Sequence, residues 1–234
     1  MHRGTPRPKL TATAFYANYK DTCYLISNWH VFAARNPETN AFVEADGFEP
    51  DSVRAHVHTM PTYKLKNDAG DPLWPEHPRG QSYDIAALEV PKPEARVPGR
   101  FAISLDIFTE TDSAIPLVMG MSLFVLGYPL EEDVSGSLPI WKQATLASEP
   151  TAAIAGKPCF LVDTASRPGM SGAPVLIRDI NIIKLANGQF QAAGPTRFVG
   201  VYSERYVRDD VHLGRVWPET LVHEMLEAQI PARR

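Results

Sequence analysis

The sequence predicts an all-β protein made of two antiparallel β-barrels, with one helix in its last segment. Its 21 prolines and 15 glycines are spread along all 234 residues and divide the chain into short segments. Many of these segments are rich in aromatic and β-branched residues, which favour strands. Strands do not alternate with helical stretches as parallel βαβ units require. With 44% hydrophobic residues, the chain can bury a core as one large β domain or as two small ones.

Polar breaks in the chain set the predicted boundaries. A basic, proline-rich tail covers residues 1–9, and the polar stretch 109–113 separates the two halves. We therefore assign the N-terminal barrel to residues 10–112, the C-terminal barrel to 113–217, and a helix with its tail to 218–234. The two barrels together are expected to form one functional domain.

The N-terminal half opens with a predicted hairpin. Residues 11–19 and 22–27 are strand-like, and Lys20 and Asp21 form the turn between them. A short helical turn is expected next. His30 therefore falls at the end of a strand.

Residues 53–59 alternate between apolar and polar side chains, as in a half-exposed strand. His56 and His58 lie on its polar face. A zinc site needs three or four ligands, and no third ligand lies at a useful spacing. The sequence therefore predicts no metal and no cofactor.

Asp84 stands directly before the apolar, strand-like run 85–90. An aspartate in this place is also common as a simple turn residue. Strand-like runs continue through the second half at 123–129, 140–146, 160–162, 175–177 and 197–202.

Residues 218–231 have the pattern of an amphipathic helix. Pro218 stands at a first-turn position and Pro231 stops the pattern. The apolar stripe consists of Leu221, Val222, Met225, Leu226 and Ile230. Its spacing predicts a packing role for this helix.

A loop in the second half holds Ser171 between Gly169 and Gly172. Because glycine has no Cβ, the backbone there can turn sharply and its N–H groups can approach a ligand. If the N–H groups of Gly169 and Ser171 converge, they can stabilise a developing oxyanion. The same composition is also typical of an ordinary turn between strands.

His30, Asp84 and Ser171 together supply the groups that hydrolysis by a serine needs. A base takes the proton of the serine, and an acid fixes the tautomer of that base and stabilises its cationic form. The three residues lie in the stretches LISNWHV (25–31), YDIAAL (83–88) and RPGMSGAPV (167–175). In this order the stretches resemble the trypsin-like, chymotrypsin-fold serine proteases, most closely the bacterial trypsin-like peptidase and HtrA type. The runs VLGYP (125–129) and VGVYS (199–203) resemble further strands of that family.

The resemblance implies two six-stranded Greek-key barrels and a serine endopeptidase that works through an acyl-enzyme intermediate. It implies that Ser171 attacks the carbonyl and that His30 acts as general base and then as acid. Asp84 would orient His30. The backbone N–H groups of Gly169 and Ser171 would form the oxyanion hole.

Three departures from the family pattern are present or expected. Secreted members have an aspartate before the serine that pairs with a new N-terminus after activation cleavage, whereas this chain has Met170. We therefore expect no such zymogen switch, and the resemblance implies regulation through ordering of the loop over residues 165–170. A regulatory partner is left open. Ala173 replaces the usual glycine, and no PDZ-like domain is expected after the barrels.

The resemblance also points to a substrate pocket. Its expected lining consists of Ala165 and Ser166, with Ser203, Glu204 and Arg205 at the wall or rim. No acid lies at the base of this pocket, and a buried cation needs a paired charge. A preference for Lys or Arg is therefore not expected. We expect small or medium apolar side chains, with Arg205 admitting an acidic one as the second option.

Composition and charge indicate which kind of partner and which cellular compartment to expect. The net charge is −4 with no long run of either sign, so a polypeptide is the expected partner, with no nucleic acid and no membrane. The tail is not a signal peptide and no apolar run of about 18 residues is present. The two cysteines, Cys23 and Cys159, are expected to be reduced. These features predict a cytoplasmic protein.

Two other functions compete with this one. An esterase of the α/β-hydrolase type would use Ser171 with a later acid and His212 or His223, but its nucleophile elbow requires glycine where Ala173 stands. A non-enzymatic binding or sensor module could keep the same fold, because fold does not imply function.

Overall fold

The structure, a computed structural model, describes residues 10–55, 61–92, 103–105, 116–129, 138–165, 167–178, 182–184, 190–192, 196–205 and 212–233. In the first half these residues form β1 (Phe15–Tyr19), β2 (Thr22–Ser27), α1 (Trp29–Ala33), β3 (Ser52–Arg54), β4 (Thr62–Lys64), β5 (Ala86–Glu89) and β6 (Ile103–Ser104). In the second half they form β7 (Ser122–Gly127), β8 (Ile140–Leu146), β9 (Phe160–Asp163), β10 (Pro174–Arg178), β11 (Ile182–Lys184), β12 (Phe190–Ala192), β13 (Thr196–Arg205), β14 (Leu213–Pro218) and α2 (Glu219–Ala228).

The predicted opening hairpin is confirmed. β1 and β2 pair antiparallel from Phe15 opposite Ile26 to Tyr19 opposite Thr22. Lys20 in the turn has a φ of 51°, a left-handed conformation that lets the chain reverse within two residues. The helical turn expected after this hairpin is α1, and it places His30 directly beyond β2.

In the described part of the first half, the strands form a four-stranded sheet in the order β5-β2-β1-β6 and a separate hairpin, β3-β4. The β1-β6 pair is parallel, so the expectation of antiparallel pairing throughout is wrong at this edge. The chain between these two strands is long enough for the crossover that a parallel pair needs. The closure of this half into a six-stranded Greek-key barrel stays a prediction.

The second half contains a closed barrel, as the sequence predicts. Its strands follow the order β10-β13-β14-β9-β8-β7, and the pairing of β7 with β10 closes it. All six neighbouring pairs are antiparallel. Strand β14 was not predicted, because Gly214 and Arg215 interrupt its apolar pattern. Gly214 is needed there, since a Cβ would lie 2.2 Å from the ring of Tyr202.

Helix α2 packs its apolar face on the core, as predicted. Leu221, Val222, Met225 and Leu226 are buried there with Trp217. Ile230 is exposed, so its inclusion in the apolar stripe is wrong. The physical reason is that the helix ends at Ala228, where Gln229 turns left-handed with a φ of 48° and bonds back to Met225 O.

His56, His58 and the boundary at 109–113 lie outside the described residues. Neither of the two described helices has the length and apolarity that crossing a bilayer demands.

Candidate active site

His30 and Asp84 lie close together at the junction between β2 and α1. Asn28, between β2 and α1, is buried and donates from Nδ2 to the backbone carbonyl of Asp84 at 2.7 Å. This bond ties the segment that precedes β5 to the start of α1. The two predicted site residues of the N-terminal half, 54 positions apart in the chain, are thereby brought into contact.

The imidazole of His30 faces the carboxylate of Asp84 through Nδ1. Nδ1 lies 2.9 Å from Oδ2 and 3.0 Å from Oδ1. The backbone N–H of His30 also donates to Oδ1 at 3.0 Å. An ionised carboxylate accepts hydrogen bonds only, so the proton of His30 belongs on Nδ1. Nε2 is then the nitrogen that can take a proton from a nucleophile.

Ser203, on β13, supplies a further donor to the same carboxylate. Its hydroxyl donates to Oδ2 of Asp84 at 2.5 Å, and both side chains are buried. Burying a charge is costly unless hydrogen bonds satisfy it. Ser203 was predicted to line the substrate pocket, and its contact with Asp84 was not predicted. No sequence signal marks it, because β13 and Asp84 meet only in the folded chain.

The loop that carries Ser171 is fixed to the same strand. The Gly172 N–H donates to the carbonyl of Tyr202 at 2.9 Å, and the Tyr202 N–H donates to the carbonyl of Ala173 at 2.8 Å. Tyr202 directly precedes Ser203. The strand to which the serine loop is hydrogen-bonded, β13, therefore also carries Ser203, the residue that donates to Asp84.

The backbone of this loop also lies against the end of β2. Gly172 has a φ of +85°, and a Cβ there would lie 2.2 Å from Ser27 Oγ and 2.1 Å from the carbonyl of Thr13. Ser27 stands three positions before His30. This close approach brings the residue after Ser171 to the end of the strand that precedes His30.

Thr13 links the loop to the first half and was missed by the sequence analysis. Its N–H donates to the carbonyl of Ser171 at 2.9 Å, and its hydroxyl donates to the carbonyl of Gly169 at 2.6 Å. Its hydroxyl oxygen also accepts from the N–H of Tyr128 at 3.1 Å, and its carbonyl accepts from Ser27 Oγ at 2.8 Å. A lone threonine in a strand-like run gives no hint of these four bonds.

Met170, which stands directly before Ser171, is buried in the core of the closed barrel. A Cβ on Gly127 would lie 2.8 Å from its sulfur, so the two residues touch closely. An apolar contact between Met170 and Gly127 therefore holds this part of the loop. No ion pair was expected at Met170.

The candidate oxyanion donors lie in the same loop. Gly169 has a φ of 93°, a backbone conformation that favours glycine. In the part of the chain that the structure describes, neither the Gly169 nor the Ser171 N–H forms a hydrogen bond. On the neighbouring strand β8, burial and the charge of Arg167 lower the pKa of Lys142.

The residues predicted to line the substrate pocket differ in their exposure and contacts. Ala165 is exposed, and Ser166 lies outside the described residues. Ser203 directs its hydroxyl to Asp84. Arg205 stands at the end of β13 opposite Gly214, after a bulge in the pairing with β14. The pocket assignment stays a prediction.

These features define a class of protein by its fold. A closed antiparallel barrel that presents a serine loop, joined to a sheet that presents a histidine–aspartate pair, is the fold of the trypsin-like, chymotrypsin-fold serine proteases. The predicted family resemblance is thus confirmed at the level of fold. The α/β-hydrolase arrangement does not fit, because the serine loop here leads into an antiparallel barrel.

Comparison with solved structures supports this fold. No family model and no curated protein matches the sequence. Among solved structures, the thermostable serine protease AL20 from an extremophilic microorganism is similar, with a TM-score of 0.52, 10% identity, and coverage of 93% of this chain and 89% of its own. The HtrA-type protease AlgW with a tripeptide has a TM-score of 0.50 and 15% identity over 94% of this chain.

This chain spans about half of the AlgW chain, 55% of its length. The active form of the Rv3671c protease from M. tuberculosis has a TM-score of 0.48 and 22% identity, over 96% of this chain and 75% of that one. At the identities of AL20 and AlgW, the likeness is one of fold alone.

Proposed function

We propose that this protein is a serine endopeptidase in which Ser171, His30 and Asp84 form a catalytic triad. The observation that supports this most strongly is the contact of the Asp84 carboxylate with Nδ1 of His30, at 2.9 and 3.0 Å. A buried aspartate that already accepts from Ser203 and from the His30 backbone is well held to orient an imidazole. The close contact of Gly172, the residue after Ser171, with Ser27 at the end of β2 supports Ser171 as the third member.

The proposed reaction begins when Ser171 Oγ bonds to the carbonyl carbon of a peptide while His30 Nε2 takes its proton. The resulting imidazolium is stabilised by Asp84. His30 then gives the proton to the leaving amine nitrogen as the C–N bond breaks, and an acyl-enzyme remains. Water, deprotonated by His30, attacks the ester carbonyl and releases Ser171 with its proton restored.

The negative charge on the carbonyl oxygen in both steps requires donors. We assign this role to the N–H groups of Gly169 and Ser171. Loss of one donor of this kind typically costs about 2.7–4 kcal/mol in the transition state.

We further propose that activity needs no cleavage of the chain. The buried side chain of Met170 and the two hydrogen bonds from Thr13 support the loop in place of an ion pair to a new N-terminus. The regulatory step expected at residues 165–170 is then a change in loop order. The free cysteines Cys23 and Cys159, both buried, accord with the predicted cytoplasmic location.

The proposed substrate is a polypeptide with a small or medium apolar side chain before the scissile bond. Ala165, Ser166, Ser203 and Arg205 remain the proposed contacts. An acidic side chain, admitted by Arg205, remains the second option.

Covalent labelling with a fluorophosphonate tests the proposal. We expect the wild type to be labelled, and Ser171→Ala and His30→Ala to lose labelling while remaining folded. Ser122→Ala, which changes an exposed serine of β7, is the control and should label as the wild type does. A folded wild type that does not react would contradict the proposal and favour a binding or sensor module.

Digestion of a mixed peptide library then tests specificity, and cleavage chiefly after Lys would contradict the pocket assignment.

A further inference from the structure

Two consecutive polar residues, Glu76 and His77, are almost fully buried, with exposures of 2% and 1%. Neither takes part in the proposed reaction. Glutamate and histidine are rarely buried unless their polar atoms have partners. Each of them contacts the residue directly before a proposed site residue: Glu76 contacts Trp29, before His30, and His77 contacts Tyr83, before Asp84.

Glu76 holds Trp29. The indole Nε1–H of Trp29 donates to Oε2 of Glu76 at 3.1 Å, and the indole is itself buried. Arg233 Nε lies 3.7 Å from the other oxygen of Glu76. An indole in an apolar core can be placed by packing alone, but a directional hydrogen bond also fixes its rotation. Trp29 is the first residue of α1, so its ring orientation constrains the backbone that carries His30.

His77 holds Tyr83. The two rings are stacked, with centroids 4.6 Å apart and planes 9° from parallel. Nδ1 of His77 accepts from the backbone N–H of Arg79 at 3.2 Å, so the proton belongs on Nε2. Nε2 lies 3.3 Å from Oε2 of Glu224 on α2. Burial lowers the pKa of His77, which keeps the ring neutral and suited to stacking.

The segment that carries this pair is itself anchored on two sides. The Glu76 N–H donates to the carbonyl of Ile230 at 3.0 Å, and the Ala232 N–H donates to the carbonyl of Trp74 at 3.1 Å. Glu76 also forms a β-bridge with Ala86 at the start of β5. The pair is therefore tied both to the strand that follows Asp84 and to the residues that follow α2.

We propose that Glu76 and His77 are positioning residues, which set the relative placement of His30 and Asp84 by holding Trp29 and Tyr83. This inference rests on the proposed function for its effect on catalysis. Its effect on the His30–Asp84 contact does not depend on that function. Displacement of reacting groups by about 1 Å can cost roughly 100-fold in rate.

Glu76→Leu and Glu76→Gln test the first half of the proposal. The amide oxygen of Gln can still accept from Trp29, whereas Leu cannot. We expect Glu76→Leu to lower kcat about 10- to 100-fold, with KM changed little, and Glu76→Gln to restore most of the rate. In the same variants, the downfield proton resonance of His30 Nδ1–H should shift or broaden for Leu and be retained for Gln.

Trp29→Phe provides the same test from the donor side and covers the case in which Glu76→Leu does not fold. We expect Trp29→Phe to lower kcat by a similar factor. In the double variant Trp29→Phe with Glu76→Leu, kcat should fall by less than the product of the two single decreases, because both substitutions remove the same hydrogen bond. For the second half, His77→Phe keeps the stacking and should retain the His30 resonance, whereas His77→Leu should disturb it.

Glu219→Leu is the matched control for stability loss. Glu219 is a partly buried glutamate paired with Arg197 at 2.9 Å, and Arg197 lies six residues along β13 from Ser203. Its loss should lower stability without altering kcat or the resonance. Folded Glu76→Leu and Trp29→Phe variants with the wild-type kcat and resonance would overturn the proposal. If the wild type hydrolyses nothing, the proposed function fails alone, and the resonance still decides whether Glu76 and His77 position the pair.

Discussion

The hydroxyl of Thr13 donates to the carbonyl of Gly169 at 2.6 Å, across 156 positions of the chain. This bond, with the N–H of Thr13 on the carbonyl of Ser171, joins the two halves at the serine loop. It involves the backbone on both sides of Met170. The shape of the loop therefore depends on a residue that precedes the first strand of the other half.

Replacing Thr13 by valine removes this hydroxyl at nearly constant volume. The carbonyl of Gly169 and the N–H of Tyr128 would lose a buried partner, which costs about 1–3 kcal/mol for each unsatisfied group. We expect a lower free energy of unfolding in urea and a slower reaction with a fluorophosphonate. Thr13→Ser keeps the hydroxyl and should behave nearly as the wild type. Equal labelling rates for the serine and valine variants would contradict this prediction.

The bond from Ser203 to Asp84 leads to a second prediction. Hydrogen bonds to charged groups contribute about 1.5–3 kcal/mol, so Ser203→Ala should lower kcat about 10- to 100-fold, with KM changed little. Steady-state hydrolysis of a peptide substrate measures both constants. Ser122→Ala removes a hydroxyl of β7 that accepts from Gln143 and serves as the comparison. Similar kcat values for the two alanine variants would argue against a role for Ser203.

Gly172 provides a test of the close approach between the loop and β2. Gly172→Ala would combine backbone strain with a clash against the carbonyl of Thr13 and Ser27 Oγ. The strain costs about 1–2 kcal/mol, and overpacking adds about 1–3 kcal/mol.

Gly156→Ala isolates the strain alone, because Gly156 has a φ of +75° and no atom within 4 Å of a Cβ. Denaturant unfolding should therefore show a clearly larger loss for Gly172→Ala. Equal losses in the two variants would mean that no clash occurs.

The buried His77 predicts how stability depends on pH. Its pKa is lowered chiefly by burial; the carboxylate of Glu224 opposes this and the charge of Arg79 adds to it. In the unfolded chain the ring takes up a proton near the ordinary value of about 6.5, while the folded chain does so only at lower pH. Stability should therefore fall as the pH drops below that value, by at most about 1.4 kcal/mol per pH unit.

His77→Phe removes this titration but keeps an aromatic ring against Tyr83. Unfolding free energies measured between pH 7.5 and pH 5 should fall less steeply for the variant than for the wild type. If the unfolding free energies of the two proteins fall equally with pH, His77 binds its proton equally well in the folded and the unfolded chain.

Much of this architecture is readable from local patterns. The β1-β2 hairpin, α1, the runs of the closed barrel and the packing face of α2 all follow from alternation, turn residues and helical spacing, which are properties of neighbouring residues. His30, Asp84 and Ser171 could be singled out in the same way, because each stands in a short motif beside a predicted strand. Patterns fail where a strand is short or interrupted, as in β6 and in β14 with its Gly214.

The sequence by itself determined the type of fold and three candidate residues with the order in which they occur. Only the tertiary structure decided which other residues support them: Ser203 on Asp84, Thr13 on the serine loop, and Glu76 and His77 behind Trp29 and Tyr83. The physical reason is that these bonds join residues distant in the chain. Their formation depends on how strands and loops pack, and local propensity carries no information about that.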